Sequence, residues 1–166
     1  MRVAALGEAG ISSLIHEIVS VATVIDSKVG VNNRPVEFGF GRVSVKEIDV
    51  LGIPISRNLA IKRALDDLKL PPSYIILYDN EHEIDIQRFP SSRVSPVDME
   101  FNIVKLSSDI ACDIRDSEIK KICKDNPLQS TMYAWKTNNG YPTRVHHNAL
   151  QLHGPSHFHR KSLLIP

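Results

Sequence analysis

The sequence contains no hydrophobic run long enough to span a membrane. A membrane helix needs about 20 consecutive apolar residues, and no stretch of the 166 residues approaches that length. The apolar stretch at the N-terminus, residues 1–6, is too short for a signal peptide and is followed by no small-residue cleavage pattern. We therefore expect a cytoplasmic protein that does not contact membranes.

Cysteine is scarce, because the sequence has only Cys112 and Cys123. Both lie in a segment predicted to be one helix, where their offset corresponds to a rise of about 16 Å. A disulfide needs Cα atoms within about 7 Å of each other. We therefore expect both thiols to be reduced and partly buried.

Acidic residues are absent after Asp125. The basic residues of this tail are Lys136, Arg144, Arg160 and Lys161. The rest of the chain carries 16 basic and 19 acidic residues, and five of the seven histidines lie in the tail. The asymmetry predicts either a surface that faces a polyanion such as nucleic acid or a basic, solvated tail without special use.

Length and composition indicate one globular domain over residues 1–166, because 42% of the residues are hydrophobic and the sequence has no repeats or clear linker. Strands are predicted over residues 2–6, 17–25, 38–45 and 74–78. Helices are predicted from Ser56 to Pro71, from Ser107 or Ser108 to about Asp125, and over residues 143–153. Early strands without crossover helices favour antiparallel pairing, followed by strands added in parallel.

The C-terminal segment carries the most specific motif. It reads Asn139-Gly140-Tyr141-Pro142-Thr143, followed by His146, Leu150, His153-Gly154 and His159-Arg160-Lys161-Ser162. This series closely resembles the end of bacterial type 2 ribonuclease H (RNase HII), a family that reads K-G-Y-x-T, H, L, H-G and H-R-x-S at the same spacing.

Other segments resemble the same family in the same order along the chain. They are Glu8-Ala9-Gly10, Glu47-Ile48-Asp49 with the helix after it, Tyr78-Asp79-Asn80 and Arg115-Asp116. Each short motif alone is weak, but matches in one order along nearly the whole chain argue against chance resemblance.

The resemblance implies a ribonuclease H-like fold, an α/β domain with a mixed five-stranded sheet flanked by helices. It also implies a monomeric endonuclease that hydrolyses the RNA strand of RNA–DNA hybrids or ribonucleotides embedded in a DNA duplex. Such enzymes use two divalent ions, Mg²⁺ or Mn²⁺, one to activate the attacking water and one to stabilise the leaving oxygen. Carboxylates from separated chain segments hold ions of this kind.

Three acidic residues match three of the family's four metal ligands, and the resemblance assigns them as catalytic: Glu8, Asp98 and Asp116. The interval from Asp98 to Asp116, 116 − 98 = 18 residues, is also the family's interval. Taken singly, Asp98 is an ordinary loop acid and Asp116 a solvated helix acid. Their fixed separation favours descent from a metal site.

The resemblance assigns nucleic-acid contacts to Gly10, Tyr141, Thr143 and Arg160. Tyr141 matches a tyrosine that stacks on the sugar beside the RNA–DNA junction. The alternative is a core tyrosine that follows a glycine turn. The tail histidines lack the spacing of a zinc site, and three of them match family histidines, so we expect a structural or phosphate-contacting role.

The first of the family's four acids is absent. Gly7 stands where the family has an aspartate that bridges both ions, and this loss should lower the rate roughly a thousandfold or more. Ile11 and Ser12 replace the arginine and glycine of a loop that contacts the 2′-hydroxyl. The alternative function is therefore a catalytically impaired pseudoenzyme that at most binds nucleic acid. If the lost ligand is the only defect, Gly7→Asp should restore cleavage.

Overall fold

Five β-strands form one mixed sheet in the computed structural model, which describes residues 1–26, 35–78, 89–94 and 101–164. The strands are β1 (Arg2–Ala9), β2 (Ile18–Asp26), β3 (Glu37–Val43), β4 (Tyr74–Tyr78) and β5 (Ser91–Val94). Their spatial order is β3-β2-β1-β4-β5. The pairs β3–β2 and β2–β1 are antiparallel, whereas β1–β4 and β4–β5 are parallel. The prediction of a mixed sheet with parallel strands added last is confirmed.

Helices flank this sheet. They are α1 (Val45–Asp66), α2 (Phe101–Asp125), α3 (Pro127–Met132), α4 (Trp135–Asn138) and α5 (Arg144–His153), with a 3₁₀ turn at Lys161–Leu163. Among the described residues, no helix has the length and apolar character needed to cross a membrane. Both cysteines lie in α2 as predicted, and both are free, with Cys112 exposed and Cys123 buried.

Helix α1 begins at Val45, well before the predicted start at Ser56. Ser44 and Glu47 form a capping box in which the Ser44 hydroxyl accepts from the Glu47 backbone N–H and the Glu47 carboxylate accepts from the Ser44 N–H. Gly52, with a φ of +74°, and Pro54 then kink the helix. The predicted start at Ser56 therefore lies in the second of two helical segments.

Two strands also differ from their predictions. β1 does not end at Gly7 but continues to Ala9, because Gly7 pairs with Val21 in the antiparallel ladder. β5 lies outside the predicted strands, and its residues Ser91 to Val94 pair in parallel with β4. Its sequence, Ser-Ser-Arg-Val, carries little strand signal of its own, so the partner strand determines its conformation.

The two faces of the sheet are covered by different helices. Ala4 and Leu6 of β1 pack into a cluster with α1, whereas Ala5 and Ala9 pack into clusters with α2. Side chains alternate between faces along a strand. Positions 7 and 8 of β1 therefore face α2 and α1 respectively.

Candidate functional site

A cleft of about 310 Å³ lies at the carboxyl ends of β1 and β4. Parallel strands end at the same sheet edge, and this edge is where α/β sheets commonly bind ligands. The polar and glycine positions lining the cleft are Gly7, Glu8, Arg57, Tyr78, Lys105 and Ser108. The cleft thus contains both positions at which the resemblance expects adjacent acids.

Glu8 forms a partly buried ion pair with Arg57 of α1. The Arg57 Nε lies 2.8 Å from both carboxylate oxygens, and Nη2 lies 2.5 Å from Oε2. The Arg57 side chain is 4% exposed and that of Glu8 is 11% exposed. Both oxygens of this predicted metal ligand therefore already accept hydrogen bonds from a guanidinium.

Gly7 contacts the backbone of α2 closely. A Cβ atom at this position would lie 2.6 Å from Ser108 Cα and closer still to the Ser108 nitrogen and the Ser107 carbonyl carbon. The Ser107 hydroxyl fixes the helix there, at 3.0 Å from the Ala5 carbonyl oxygen and 2.8 Å from Thr23 Oγ1. An aspartate at position 7 has no space unless α2 moves.

Asp116 lies farther along α2, about 12 Å along the helix axis beyond Ser108. Its Oδ1 accepts a hydrogen bond from Arg115 Nη1 at 2.8 Å, and its side chain is 35% exposed. The Arg115 guanidinium also lies over the ring of Tyr141, 4.5 Å from its centroid. Arg115 therefore links this predicted acid to Tyr141, a residue that is 39% exposed.

The structure places two of the three predicted acids. Glu8 lines the cleft, Asp116 lies by Tyr141, and Asp98 falls outside the described residues. The described ligands do not fit a two-ion site as arranged, because Gly7 supplies no oxygen and both oxygens of Glu8 bind Arg57.

Arg160 lies in the interior and bonds to the backbone of a neighbouring loop. It is fully buried, and its guanidinium donates to the carbonyls of Ile11, Ser13, His16 and Glu17. Burial, with a smaller contribution from the charge of Arg115, lowers its pKa to about 10. These bonds fix the conformation of loop 11–17, and contact of Arg160 with nucleic acid stays a prediction.

Gly10 and Thr143 also have local structural roles. Gly10 has a φ of +84°, and a Cβ there would lie 2.6 Å from the Glu17 carbonyl oxygen, so the entry to loop 11–17 requires glycine. Thr143 caps α5 by accepting from the His146 N–H. Contact of Gly10 and Thr143 with nucleic acid stays a prediction.

The buried histidines of the tail form a structural pair. His146 Nε2 lies 3.0 Å from His159 Nε2, and the backbone N–H of Ser156 donates to His159 Nδ1. Burial lowers the pKa of both rings, that of His159 to about 4. Both rings are therefore neutral. His159 Nε2–H donates to His146 Nε2, and His146 Nδ1–H donates to the Tyr141 carbonyl.

One group among the described residues has the mutual distances of metal ligands: His16, Glu17 and Glu118 lie with ligand atoms within 4.8 Å of one another. Arg42 already forms ion pairs with both glutamates. Burial and the charge of Glu118 raise the pKa of Glu17, whereas burial lowers that of His16. This group contains none of the predicted metal ligands.

Arg57 is not among the residues predicted from the sequence. Its position could have indicated a buried site, because Arg57 precedes the buried residues Ala60, Ile61 and Ala64 by three, four and seven places. These are intervals along one helical face. An arginine on an apolar stripe must find a buried partner, which indicates a residue with a specific role.

Comparisons with known proteins give a consistent result. No protein-family model matches the sequence. Curated relatives include "Ribonuclease HII" of Christiangramia forsetii, 33% identical over 137 residues, which are 82% of this chain and 67% of the relative. "Ribonuclease HII" of Pelagibacter ubique is 29% identical, covering 96% of this chain and 94% of the relative.

Among solved structures, the ribonuclease H2 of Pyrococcus horikoshii matches 98% of this chain and 93% of its own length, with a TM-score of 0.70 and 20% identity. At this identity the match establishes the fold, which is ribonuclease H-like as predicted. The chain spans about two thirds of the length of the Christiangramia relative.

Proposed function

The chain belongs to the ribonuclease HII family, and on that premise we propose that it is an endonuclease acting on RNA–DNA hybrids or on ribonucleotides embedded in a DNA duplex. Family membership is the observation that carries this proposal. Family membership gives the enzyme class, which is ribonuclease H. The form of the substrate and the residues that act on it are what we propose.

The proposed substrate path joins the cleft to the Tyr141 turn. Tyr141 is 39% exposed, and the face of its ring opposite Arg115 could stack on a sugar or base. Loop 11–17 lies beside this turn, because the Leu14 N–H donates to the Gly140 carbonyl at 2.9 Å. The nucleic acid would therefore contact the Tyr141 turn at one end and the Glu8–Arg57 pair at the other.

The family's divalent ions, Mg²⁺ or Mn²⁺, would be held by Glu8, Asp98 and Asp116 and would supply an activated water. The described part of this set does not fit the ions as arranged, so we derive no catalytic step through them. The endonuclease proposal consequently rests on family membership alone.

A second candidate function is binding of the same nucleic acids without cleavage at the family's rate. Two observations favour it: the Glu8 carboxylate is engaged by Arg57, and the backbone of α2 occupies the space of a side chain at position 7. This candidate predicts hybrid binding that does not require divalent ions.

The test uses a DNA duplex containing one ribonucleotide and an RNA–DNA hybrid, each compared with an all-DNA duplex of the same sequence. Cleavage is measured with Mg²⁺ or Mn²⁺, and binding is measured by fluorescence anisotropy in EDTA. Cleavage confined to the ribonucleotide substrates, and lost in Asp116→Asn, supports the endonuclease. Binding without cleavage supports the second candidate, and neither binding nor cleavage overturns both.

A further inference from the structure

We propose that the Arg57 guanidinium is a built-in cation that replaces a divalent metal ion at Glu8. This inference rests on the proposed function, because it concerns the metal site of the same cleft. It states that Glu8 is not a metal ligand in this chain, although it stands at the family's ligand position.

The geometry supports this replacement. Three donor–acceptor distances of 2.5–2.8 Å join the guanidinium to the two carboxylate oxygens. A fork of donors on both oxygens occupies the positions through which a carboxylate binds a cation. Arg57 and a metal ion therefore compete for the same oxygens.

Burial favours Arg57 in that competition. Its side chain is 4% exposed, and within the described part of the chain Glu8 is the acceptor of every hydrogen bond assigned to this guanidinium. Nη1 is buried and has no hydrogen-bond partner there. A metal ion that took Glu8 would leave a buried, unpaired guanidinium, which is strongly unfavourable.

The charge of the cleft leads to the same conclusion. A divalent ion is held by several carboxylates, but position 7 contributes none and the charge of Glu8 is balanced by Arg57. Lys105, also in the lining, adds positive charge that is paired with Asp109 at 2.6 Å. The described lining therefore lacks the excess negative charge that attracts a divalent cation.

Mn²⁺ titration followed by the electron paramagnetic resonance signal of the free ion tests the inference without nucleic acid. Four proteins are compared: the unmodified chain, Glu8→Gln, Arg57→Gln and the double variant. We expect Glu8→Gln to leave Mn²⁺ affinity within about twofold of the unmodified chain. Arg57→Gln should gain at least about tenfold, and the double variant should lose that gain.

A loss of tenfold or more in Glu8→Gln, with Arg57 intact, would overturn the inference, as would the absence of a gain in Arg57→Gln. Circular dichroism establishes which variants fold. If Arg57→Gln does not fold, the double variant decides, because its two amides can bond to each other and leave no buried charge. Equal Mn²⁺ affinity in this variant and the unmodified chain supports the inference, and a tenfold loss overturns it.

The titration is independent of the proposed function. A chain that neither binds nor cleaves hybrids fails the nucleic-acid assays, yet the Mn²⁺ affinities still show whether Glu8 is a ligand. Conversely, a chain that cleaves hybrids and also loses Mn²⁺ affinity in Glu8→Gln retains the proposed function and overturns this inference.

Discussion

Gly7→Ala should destabilise the protein because α2 lies directly against β1 at this position. The added Cβ would lie 2.6 Å from Ser108 Cα, where ordinary contact begins near 3.4 Å. The helix must therefore move by at least 3.4 − 2.6 = 0.8 Å, and closer backbone atoms require more. Gly7→Asp imposes the same displacement and also places a carboxylate in a packed interface.

The expected cost can be worked from the contacts that this movement disturbs. Overpacking of a core costs about 1–3 kcal/mol. The Ser107 hydroxyl contacts to the Ala5 carbonyl and Thr23 Oγ1 would be stretched, at about 1 kcal/mol each. Together these effects lower the free energy of unfolding by about 3–5 kcal/mol, a large part of the 5–15 kcal/mol typical of a domain.

Urea denaturation followed by circular dichroism measures this cost. Gly52→Ala is the matched control, because a Cβ at Gly52 meets no atom within 4 Å and only its backbone conformation, with φ +74° and ψ 167°, is unfavourable for alanine, at about 1–3 kcal/mol. We expect Gly7→Ala to lose clearly more stability than Gly52→Ala. Equal losses, or a Gly7→Ala variant within about 1 kcal/mol of the unmodified chain, would refute the packing argument.

Three further predictions follow from the site. Arg57→Ala should lower the free energy of unfolding by about 2–3 kcal/mol, because it leaves the partly buried Glu8 carboxylate without its partner. Lys105→Ala, which removes an exposed ion pair, should cost under about 1 kcal/mol in the same denaturation assay. Equal costs would contradict the burial argument. Tyr141→Ala should weaken the binding free energy for an RNA–DNA hybrid, measured by fluorescence anisotropy, by about 1–3 kcal/mol, whereas Tyr141→Phe should retain binding. Equal binding by Tyr141→Ala and the unmodified chain would exclude stacking. The pKa of His159 is lowered to about 4 in the folded state, so the unfolded state binds a proton more readily. The free energy of unfolding should therefore fall by up to about 3 kcal/mol as pH drops from about 6.5 to about 4. Calorimetry that shows constant stability across that pH range would contradict this prediction.

Much of the fold could be predicted because its signals are local. The β-branched run of β2 and the apolar spacing of α2 identify their elements without reference to the rest of the chain. β5 could not be found in this way, since its strand conformation depends on pairing with β4. The continuation of β1 past Gly7 was missed for a related reason, because a glycine ends a pattern in sequence but pairs normally in a sheet.

The candidate site was less predictable because its contacts join distant residues. Arg57 and Glu8 lie 49 positions apart, and no spacing rule relates a strand residue to a helix residue at that distance. Arg160 illustrates the opposite error. Its place in an acid-free tail indicated a surface charge, but carbonyl groups more than 140 positions away bury it.

The two departures at the cleft lie on opposite faces of β1, and this placement explains why one substitution should not reverse them. Loss of a side chain at Gly7 allows α2 to pack against the strand on one face. On the other face, Arg57 engages the remaining acid. Gly7→Asp would have to displace a helix and would still leave Glu8 bound to a guanidinium. Restoring a metal ligand set therefore requires changes on both faces. If the unmodified chain binds hybrids without cleaving them, we expect Gly7→Asp alone not to produce cleavage of a DNA duplex containing one ribonucleotide, contrary to the expectation from sequence if the lost ligand were the only defect; cleavage by this variant would contradict the two-face argument.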